Sequence, residues 1–379
     1  MILLTAAIFL LVLYSLLIIY YLQVWRQIPI YKQPADSKPS TNISVIIPAR
    51  NEESNIRFCL DSLCRQNYPA HLMEILVVDD LSTDQTSAIV SSYKNERIRL
   101  ISLKDELILT NTSTGGKKQA LTAGIKRASG KLIITTDADC TFPEKWISTL
   151  VSFYETYNPA FIAAPVTFSK ERNALHIFQS LDFLSLQGVT AASVFSRFHT
   201  MCNGANLAYE KKIFEEAGGF NGIDQVASGD DMLLMHKIYL LYPDRVMYCL
   251  SQDAIVETKP AENIKTFFQQ RIRWASKALV YHDKRIFYVL VLVYLLNSFL
   301  FALLIYGLVS ARFFQFWLFL LIIKTIVELS FLAPVARFYK KTSLLWYFFP
   351  AQPFHILYTV IAGFFGQVGS YEWKGRKLK

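Results

Sequence analysis

Apolar residues are laid out in two ways along this chain. Residues 1–24 carry no charged side chain, and three long apolar runs follow late, at about 286–310, 313–333 and 344–366. Between these ends the apolar residues come in short blocks set apart by polar turns. Ser44-Val45-Ile46-Ile47 predicts a buried strand stopped by Pro48, and Ile56, Leu60 and Leu63 share one face of a helix over 52–66. A second buried strand over 74–78 ends in Asp79-Asp80 and leads to a helix over 82–93. A third strand over 98–103 precedes a helix over 117–128 closed by Gly130, and the strand Leu132-Ile133-Ile134-Thr135-Thr136 runs into Asp137-Ala138-Asp139. Strands alternating with helices, with the strands continuously apolar, predict an α/β fold whose parallel sheet is covered on both faces. Open sheets of this kind bind ligands at the carboxyl ends of their strands. Here those ends carry Ala49-Arg50-Asn51-Glu52, Asp79-Asp80 and Asp137-Ala138-Asp139.

The long apolar runs change the picture from a soluble protein to a membrane one. A bilayer core takes roughly 20 apolar residues to cross, and 1–24 meets that length. Its rival is a cleaved signal peptide, but that needs cations ahead of the apolar core, and here the first is Arg26. Arg26, Lys32, Lys38 and Arg50 follow the run, which places the middle of the chain in the cytoplasm and the protein in the plasma (inner) membrane. The expected organisation is a transmembrane helix over 1–24, a linker over 25–42, a cytoplasmic domain over 43–280, a membrane region over 286–369 and a basic tail over 370–379. Lys324 and Glu328 lie four apart inside the second late run and are placed to pair on one helix face. Cations at Arg337, Lys340 and Lys341 and again at Lys374, Arg376, Lys377 and Lys379 cannot all be inside if 344–366 crosses once. Pro350 and Pro353 are expected to break that run, giving a re-entrant or interfacial segment; a plain third crossing is the alternative.

Charge and cysteine content narrow the function classes. The net charge is +9, but the cations are scattered or flank membrane runs, which speaks for anionic lipid and against nucleic acid. The five cysteines have no metal-ligand spacing and are expected to be reduced. A dinucleotide oxidoreductase needs a Gly-rich loop after its first strand, and 48–53 contains no glycine.

Asp137-Ala138-Asp139 carries the sharpest chemistry. Two carboxylates one residue apart repel unless a cation sits with them, and hard oxygen ligands suit Mg²⁺ or Mn²⁺ held against a diphosphate. Downstream stand the Gly turn Asn203-Gly204-Ala205-Asn206, the turn Gly218-Gly219-Phe220, Ser228-Gly229-Asp230-Asp231 ahead of an apolar helix over 232–241, and Gln270-Arg271-Ile272-Arg273-Trp274 before the membrane region.

In this order the motifs resemble the family 2 glycosyltransferases of GT-A fold, specifically the membrane-bound branch that includes cellulose, chitin and hyaluronan synthases and the ceramide glucosyltransferases. The resemblance covers about residues 43–280. It implies a nucleotide-sugar-binding, Rossmann-like domain in which Pro48, Ala49, Arg50, Asn51 and Glu52 line the donor pocket. Asp79 and Asp80 would grip nucleobase and ribose, and Lys117 would face the diphosphate, with Lys118 as its competitor for that place. Asp139 would be the metal ligand, and Asp137 would hold the ribose or a metal-bound water as the second member of the metal pair. Asp231 aligns with the catalytic base. The usual Glu-Asp is here Asp230-Asp231, which leaves open which acid acts. Arg273 would clamp diphosphate, while Gln270, Trp274, Asn203 and Gly204 would meet the acceptor. Thr122 replaces a common Asn.

The resemblance implies an inverting transfer of a hexose from a nucleotide-diphosphate sugar, a uridine diphosphate hexose by preference, to an acceptor presented at the membrane. A lipid acceptor is favoured, because at most four spans with few polar groups offer little to enclose a growing polymer. A processive polysaccharide synthase is the alternative. From a different class, a non-catalytic nucleotide-sugar-binding membrane protein would share the donor pocket and lack turnover.

Overall fold

The computed structural model describes residues 2–105, 115–223, 229–369, 371–373 and 376–378. Ser228 and the tail cations Lys374 and Lys379 therefore lie outside the described residues. The chain divides into two compact units. One comprises Pro29–Ser169 and Thr200–Lys259; the other comprises Met1–Ile28, Lys170–His199 and Pro260–Lys379. The second unit thus takes in two stretches, 170–199 and 260–280, that lie inside the expected 43–280 domain.

Among the described residues the first unit is built on nine strands: β1 (Ile43–Ala49), β2 (Met73–Asp79), β3 (Ile98–Ser102), β4 (Leu132–Thr135), β5 (Phe161–Ala163), β6 (Val166–Phe168), β7 (Leu207–Glu210), β8 (Val246–Tyr248) and β9 (Val256–Thr258). Seven of them form one sheet in the order β3-β2-β1-β4-β7-β5-β8, and β6 pairs with β9 beside it. The strands expected from the sequence are all parallel to one another. The sheet becomes mixed at β7, which runs antiparallel to both β4 and β5. β2 and β4 flank β1 on opposite sides, so the strand order reverses at β1 and opens a crevice at the carboxyl ends of β1 and β4. The burial is that of a covered sheet, with Val45, Ile46, Ile47, Ile75, Leu76, Val77, Ile133 and Ile134 sealed from solvent.

Two local expectations are corrected. Pro48 does not stop β1, which continues to Ala49 opposite Asp79. The Thr136 N–H bonds to Ile46 O and the Asp80 N–H to Ala49 O, so even-numbered β1 residues face β4 and odd ones face β2. Pro48 therefore points its missing donor towards β4 beyond the point where the pairing ends at Thr135, and no ladder bond is lost. Gly130 does not cap the helix Lys117–Arg127, whose cap is Ala128 in extended conformation. A Cβ at Gly130 would lie 2.4 Å from the Ile43 carbonyl carbon, so only glycine lets the chain pass β1 here. The helix over 52–66 is shortened to Ile56–Cys64, with Ile56, Leu60 and Leu63 all buried as its spacing requires. The polar stretch over 32–41 lacks regular structure yet is fastened. The Ser40 and Thr41 N–H groups and the Thr41 hydroxyl all donate to Glu155 Oε1, and Tyr31 bonds Ser152 at 2.8 Å.

The second unit is helical. Among the described residues four helices are long and apolar enough to cross a membrane: Leu3–Trp25, Lys284–Gly307, Ala311–Phe338 and Thr342–Val368. Pro350 and Pro353 do not break the last run, because one helix, Phe348–Val368, passes through both. Pro350 occupies its first turn, where backbone donors have no intrahelical acceptor anyway. The helix Ala174–Ser196 and the motif helix Ile264–Ala275 belong to this unit. Inside it the expected Lys324–Glu328 pair forms at 2.7 Å and is extended into a quartet. Gln352 accepts from Lys324 at 2.7 Å and donates to Glu328 at 2.6 Å, and Tyr14 donates to Glu328 at 2.6 Å.

Candidate active site

The loops after β1 and β2 are laced together by the residues expected to line a donor pocket. Asn51 sits in the left-handed region at φ 52°, as does Leu81 at φ 57°. That strain is held by bonds across the loops. The Asn51 N–H donates to Ser82 Oγ, Asn51 Oδ1 accepts from the Thr83 N–H, and the Glu52 N–H donates to Thr86 Oγ1. Arg50 Nη1 donates to Asp80 O at 2.7 Å. Glu52 is buried and accepts from Asn55. Arg50, Asn51 and Glu52 thus brace the two loops against each other just after Pro48 and Ala49, and Asp80 is buried there. Asp79 is half-buried: one carboxylate oxygen takes the Ser82 N–H at 3.4 Å, and its Oδ1 is shielded from solvent without a hydrogen-bond partner among the described residues. A shielded acceptor of this kind needs a donor.

At the end of β4 the acids meet a lysine. Lys117, at the start of its helix, places Nζ 2.6 Å from Asp137 Oδ1 and 4.0 Å from Asp230 Oδ2. Burial works against its charge, but Asp137 and Asp230 outweigh burial and hold the ammonium well above the ordinary lysine range. Lys118 turns the other way and donates to the Ile223 carbonyl, which separates the two candidates. Thr122, the departure from Asn, returns its hydroxyl to Lys118 O within the same helix.

Asp230 and Asp231 open the helix Asp230–Leu241. Asp230 is buried beside Lys117, whereas Asp231 is half-buried and anchored by backbone. Its Oδ2 accepts the Gly204 N–H and its Oδ1 the Met232 N–H, both at 2.8 Å. Burial and then the neighbouring Asp230 push its carboxyl up to about 6, against the pull of Lys117 and the two N–H donors. A Cβ on Gly204 would lie 3.2 Å from Lys117 Nζ and 3.4 Å from Asp231 Oδ2, so the turn must pass close between them. Asn203 Oδ1 accepts the Ala205 N–H and so shapes that turn. The turn is tied to β4 by the bond from Thr136 Oγ1 to Ala205 O, 2.7 Å. Sequence reasoning gave Asn206 no distinct part. It is fully buried and bonds Trp146, Pro165 O and Ala254 O, which fixes the turn from behind. A buried amide flanking a glycine turn was the available signal.

Asp139 accepts from Thr258 Oγ1 at 3.1 Å, so the end of β9 supports it. Among the described residues no three His, Cys, Asp or Glu side chains gather as a metal cage. Magnesium-type ions commonly take one or two carboxylates and complete their shell with phosphate and water. Asp139 with Asp137 fits that pattern. Cys59 and Cys140 lie beside these acids, and burial pushes both thiols up, away from reactivity. All five cysteines are free.

Gln270, Arg273 and Trp274 lie on the motif helix in the other unit. The Trp274 ring is stacked on the Arg271 guanidinium, 4.3 Å from its centroid, so one of its faces is already covered. Gln270 Oε1 is shielded and has no hydrogen-bond partner among the described residues.

Comparison with known proteins places this geometry. The profile of glycosyl transferase family 2 matches residues 44–218, and that of glycosyl transferase family group 2 matches residues 132–365. The Probable glycosyltransferase YdaM of Bacillus subtilis is 28% identical over 68% of this chain and 59% of its own length. The Beta-monoglucosyldiacylglycerol synthase of a Nostoc species is 26% identical over 62% of this chain and 48% of its own. This chain therefore spans only about half the length of such relatives. Among solved structures, the mannosyltransferase PcManGT of Pyrobaculum calidifontis, in complex with GDP-Man and Mn²⁺, aligns over 96% of this chain and 98% of its own, with a TM-score of 0.55 at 19% identity. That likeness identifies the mixed α/β architecture as the GT-A fold. The second profile covers well over half of the sequence, and the chain belongs to the family 2 glycosyltransferases.

Proposed function

We propose that the protein is an inverting hexosyltransferase of the membrane-bound branch with the Gln-x-x-Arg-Trp motif. It would move a sugar from a uridine diphosphate hexose to a lipid acceptor at the cytoplasmic face of the plasma membrane. The observation that carries the reading is the placement of Asp231, held by two backbone N–H groups beside Lys117 and Asp137 at the carboxyl end of β4.

Asp79 Oδ1 supplies the missing acceptor for a uracil or ribose donor, and Asp80 stiffens the wall behind it. Lys117 balances diphosphate charge, releasing Asp137 as the donor enters. Asp139, with Asp137, would hold Mg²⁺ or Mn²⁺, which when bound supplies Lewis-acid neutralisation of the departing diphosphate. Asp231 takes the proton of the acceptor hydroxyl as its oxygen bonds the anomeric carbon. The bond from that carbon to the phosphate oxygen breaks, and its electron pair leaves with the nucleoside diphosphate. Attack opposite the leaving group inverts the centre. A carboxyl raised towards neutrality is better matched to this task than an ordinary aspartate. Asp230, buried against Lys117, tunes Asp231 and does not reach the acceptor. Asn203 and Gly204 shape the acceptor side of Asp231, and Arg273, Gln270 and Trp274 keep the diphosphate and acceptor roles of their motif. A lipid acceptor agrees with the named activity of the Nostoc relative and with the four candidate spans among the described residues, whose main polar cluster is internally paired.

The test is mass spectrometry of lipids after incubating the full protein in nanodiscs with UDP-hexose, cation and membrane lipid. A lipid heavier by one hexose is expected, and it should vanish in excess chelator and in Asp139→Asn. A long polymer made by the purified protein alone would establish the processive reading instead.

A further inference from the structure

One buried ion pair in the helical unit lies outside the donor and acid sites. Arg271, inside the Gln-x-x-Arg-Trp motif at one of its unspecified positions, is buried, and its Nη2 lies 2.6 Å from Asp182 Oδ2 on the helix Ala174–Ser196. Tyr358 donates to the other oxygen of Asp182 at 2.5 Å. The guanidinium is caged by aromatic rings: Trp274 at 4.3 Å, Phe267 at 5.1 Å and Tyr358 at 5.9 Å. One helical turn before Asp182, the buried Gln179 grips the approach to the motif helix, donating to Ala261 O and accepting from the Ala261 N–H, both at 2.9 Å. The far end of the motif helix is held too. Gln367 donates to Ala275 O at 2.9 Å, and the backbone at Gly366 comes close enough that a Cβ would meet Ala275 Cβ at 2.7 Å.

These contacts fix both the position and the roll of one helix. Phe267, Arg271 and Trp274 are spaced four and three apart and form its inward stripe. At 100° per residue Arg273 projects about 160° from Arg271, on nearly the opposite side. Gln270 lies between, with its Oε1 shielded and without a hydrogen-bond partner among the described residues. Burying a charge pair is costly, and apolar side chains of like size would pack as well. What the pair adds is a preferred rotation, since this roll brings the Arg271 charge against Asp182 Oδ2.

We propose that Asp182 and Arg271, with Gln179, form a positioning clamp that sets the roll of the motif helix and thereby the presentation of Arg273 and Gln270. The inference rests on the transferase reading above. The clamp touches no substrate and acts through Arg273.

A double-mutant cycle on the full protein in nanodiscs tests it. Asp182→Asn keeps the shape and removes the charge. It is expected to lower kcat about tenfold or more in the wild-type background and less than twofold in Arg273→Ala, because the side chain through which the clamp acts is already gone. Asp182→Glu should recover part of the rate. Hydrogen exchange of the peptide over 264–275 should quicken in Asp182→Asn while that over 43–49 stays unchanged. Equal losses in both backgrounds, or a kcat within twofold of wild type, would overturn the clamp. If Asp182→Asn does not fold, Asp182→Leu with Arg271→Met carries the same cycle, since it leaves no lone buried charge. A wild-type protein with no sugar transfer would sink the transferase reading alone; quickened exchange over 264–275 would still uphold the clamp, and unchanged exchange would overturn it.

Discussion

Two charged clusters in this molecule obey opposite rules. In the helical unit, Lys324, Glu328, Gln352 and Tyr14 form a closed quartet with one positive and one negative charge, each member bonded within the group. In the sheet unit, Lys117 faces Asp137, Asp230 and Asp231, so negative charge exceeds positive, and Asp139 stands two residues beyond. The first is balanced and sealed, as polar groups among apolar helices must be. The second lies beside a crevice, where on the proposed reading a cation and a diphosphate would complete it. Pairing marks structure; surplus marks chemistry.

The contrast can be broken by substitution. The largest expected effect is at the surplus cluster: Asp231→Asn should reduce sugar transfer by about 10²–10⁴-fold, the usual share of a general base. Circular dichroism and the thermal midpoint should stay close to wild type, and unchanged turnover would remove Asp231 from the mechanism. At the balanced cluster the effect should fall on stability. Lys324→Met strands Glu328 and should cost about 3–5 kcal/mol in a denaturant titration, whereas Lys324→Met with Glu328→Met together should cost far less. Equal losses would mean the pair is not the unit of stability.

Titration offers a finer test. Asp231 must lose its proton to act, so kcat/KM should rise with pH through an acid limb near 6 that Asp231→Asn lacks. Stability runs the other way. A carboxyl raised from 3.8 to about 6 by folding contributes stability that is whole below about 3.8 and is lost as pH rises through about 6. The wild-type midpoint should therefore gain on that of Asp231→Asn as pH falls from 7 towards 4. The smallest effect is expected from Gly204→Ala. Its methyl meets the flexible tip of Lys117, which can yield, so a fall of about two- to fivefold in kcat with little change in midpoint is expected.

How much of this was legible in the sequence varies by position. β1 to β4 and their terminal acids were readable because strands buried on both faces are continuously apolar and stop where the sheet meets solvent. Lys324 and Glu328 were readable because four residues make a helical turn. The mixed character of the sheet was not, since Leu-Ala-Tyr-Glu at β7 gives no sign of its direction. Pro48 and Pro350 misled, because the cost of a proline depends on whether a partner strand or helical turn asks for its N–H; Pro353 is carried inside the helix all the same. The covered face of Trp274 was equally hidden, since its neighbour Arg271 had to be folded inward before the ring could lie on it. In each case the deciding fact is a tertiary partner that local spacing does not encode.

The excursion of residues 170–199 into the helical unit sets an order of events during synthesis. The edge of β4 is covered by β7, which leaves the ribosome only after the helix Ala174–Ser196 has been made. Until then a nascent chain carries an uncapped row of backbone donors and acceptors, the kind of edge that recruits other chains. Whatever slows synthesis of residues 174–206 prolongs the exposure, so the pace of translation and solubility are linked here by topology alone.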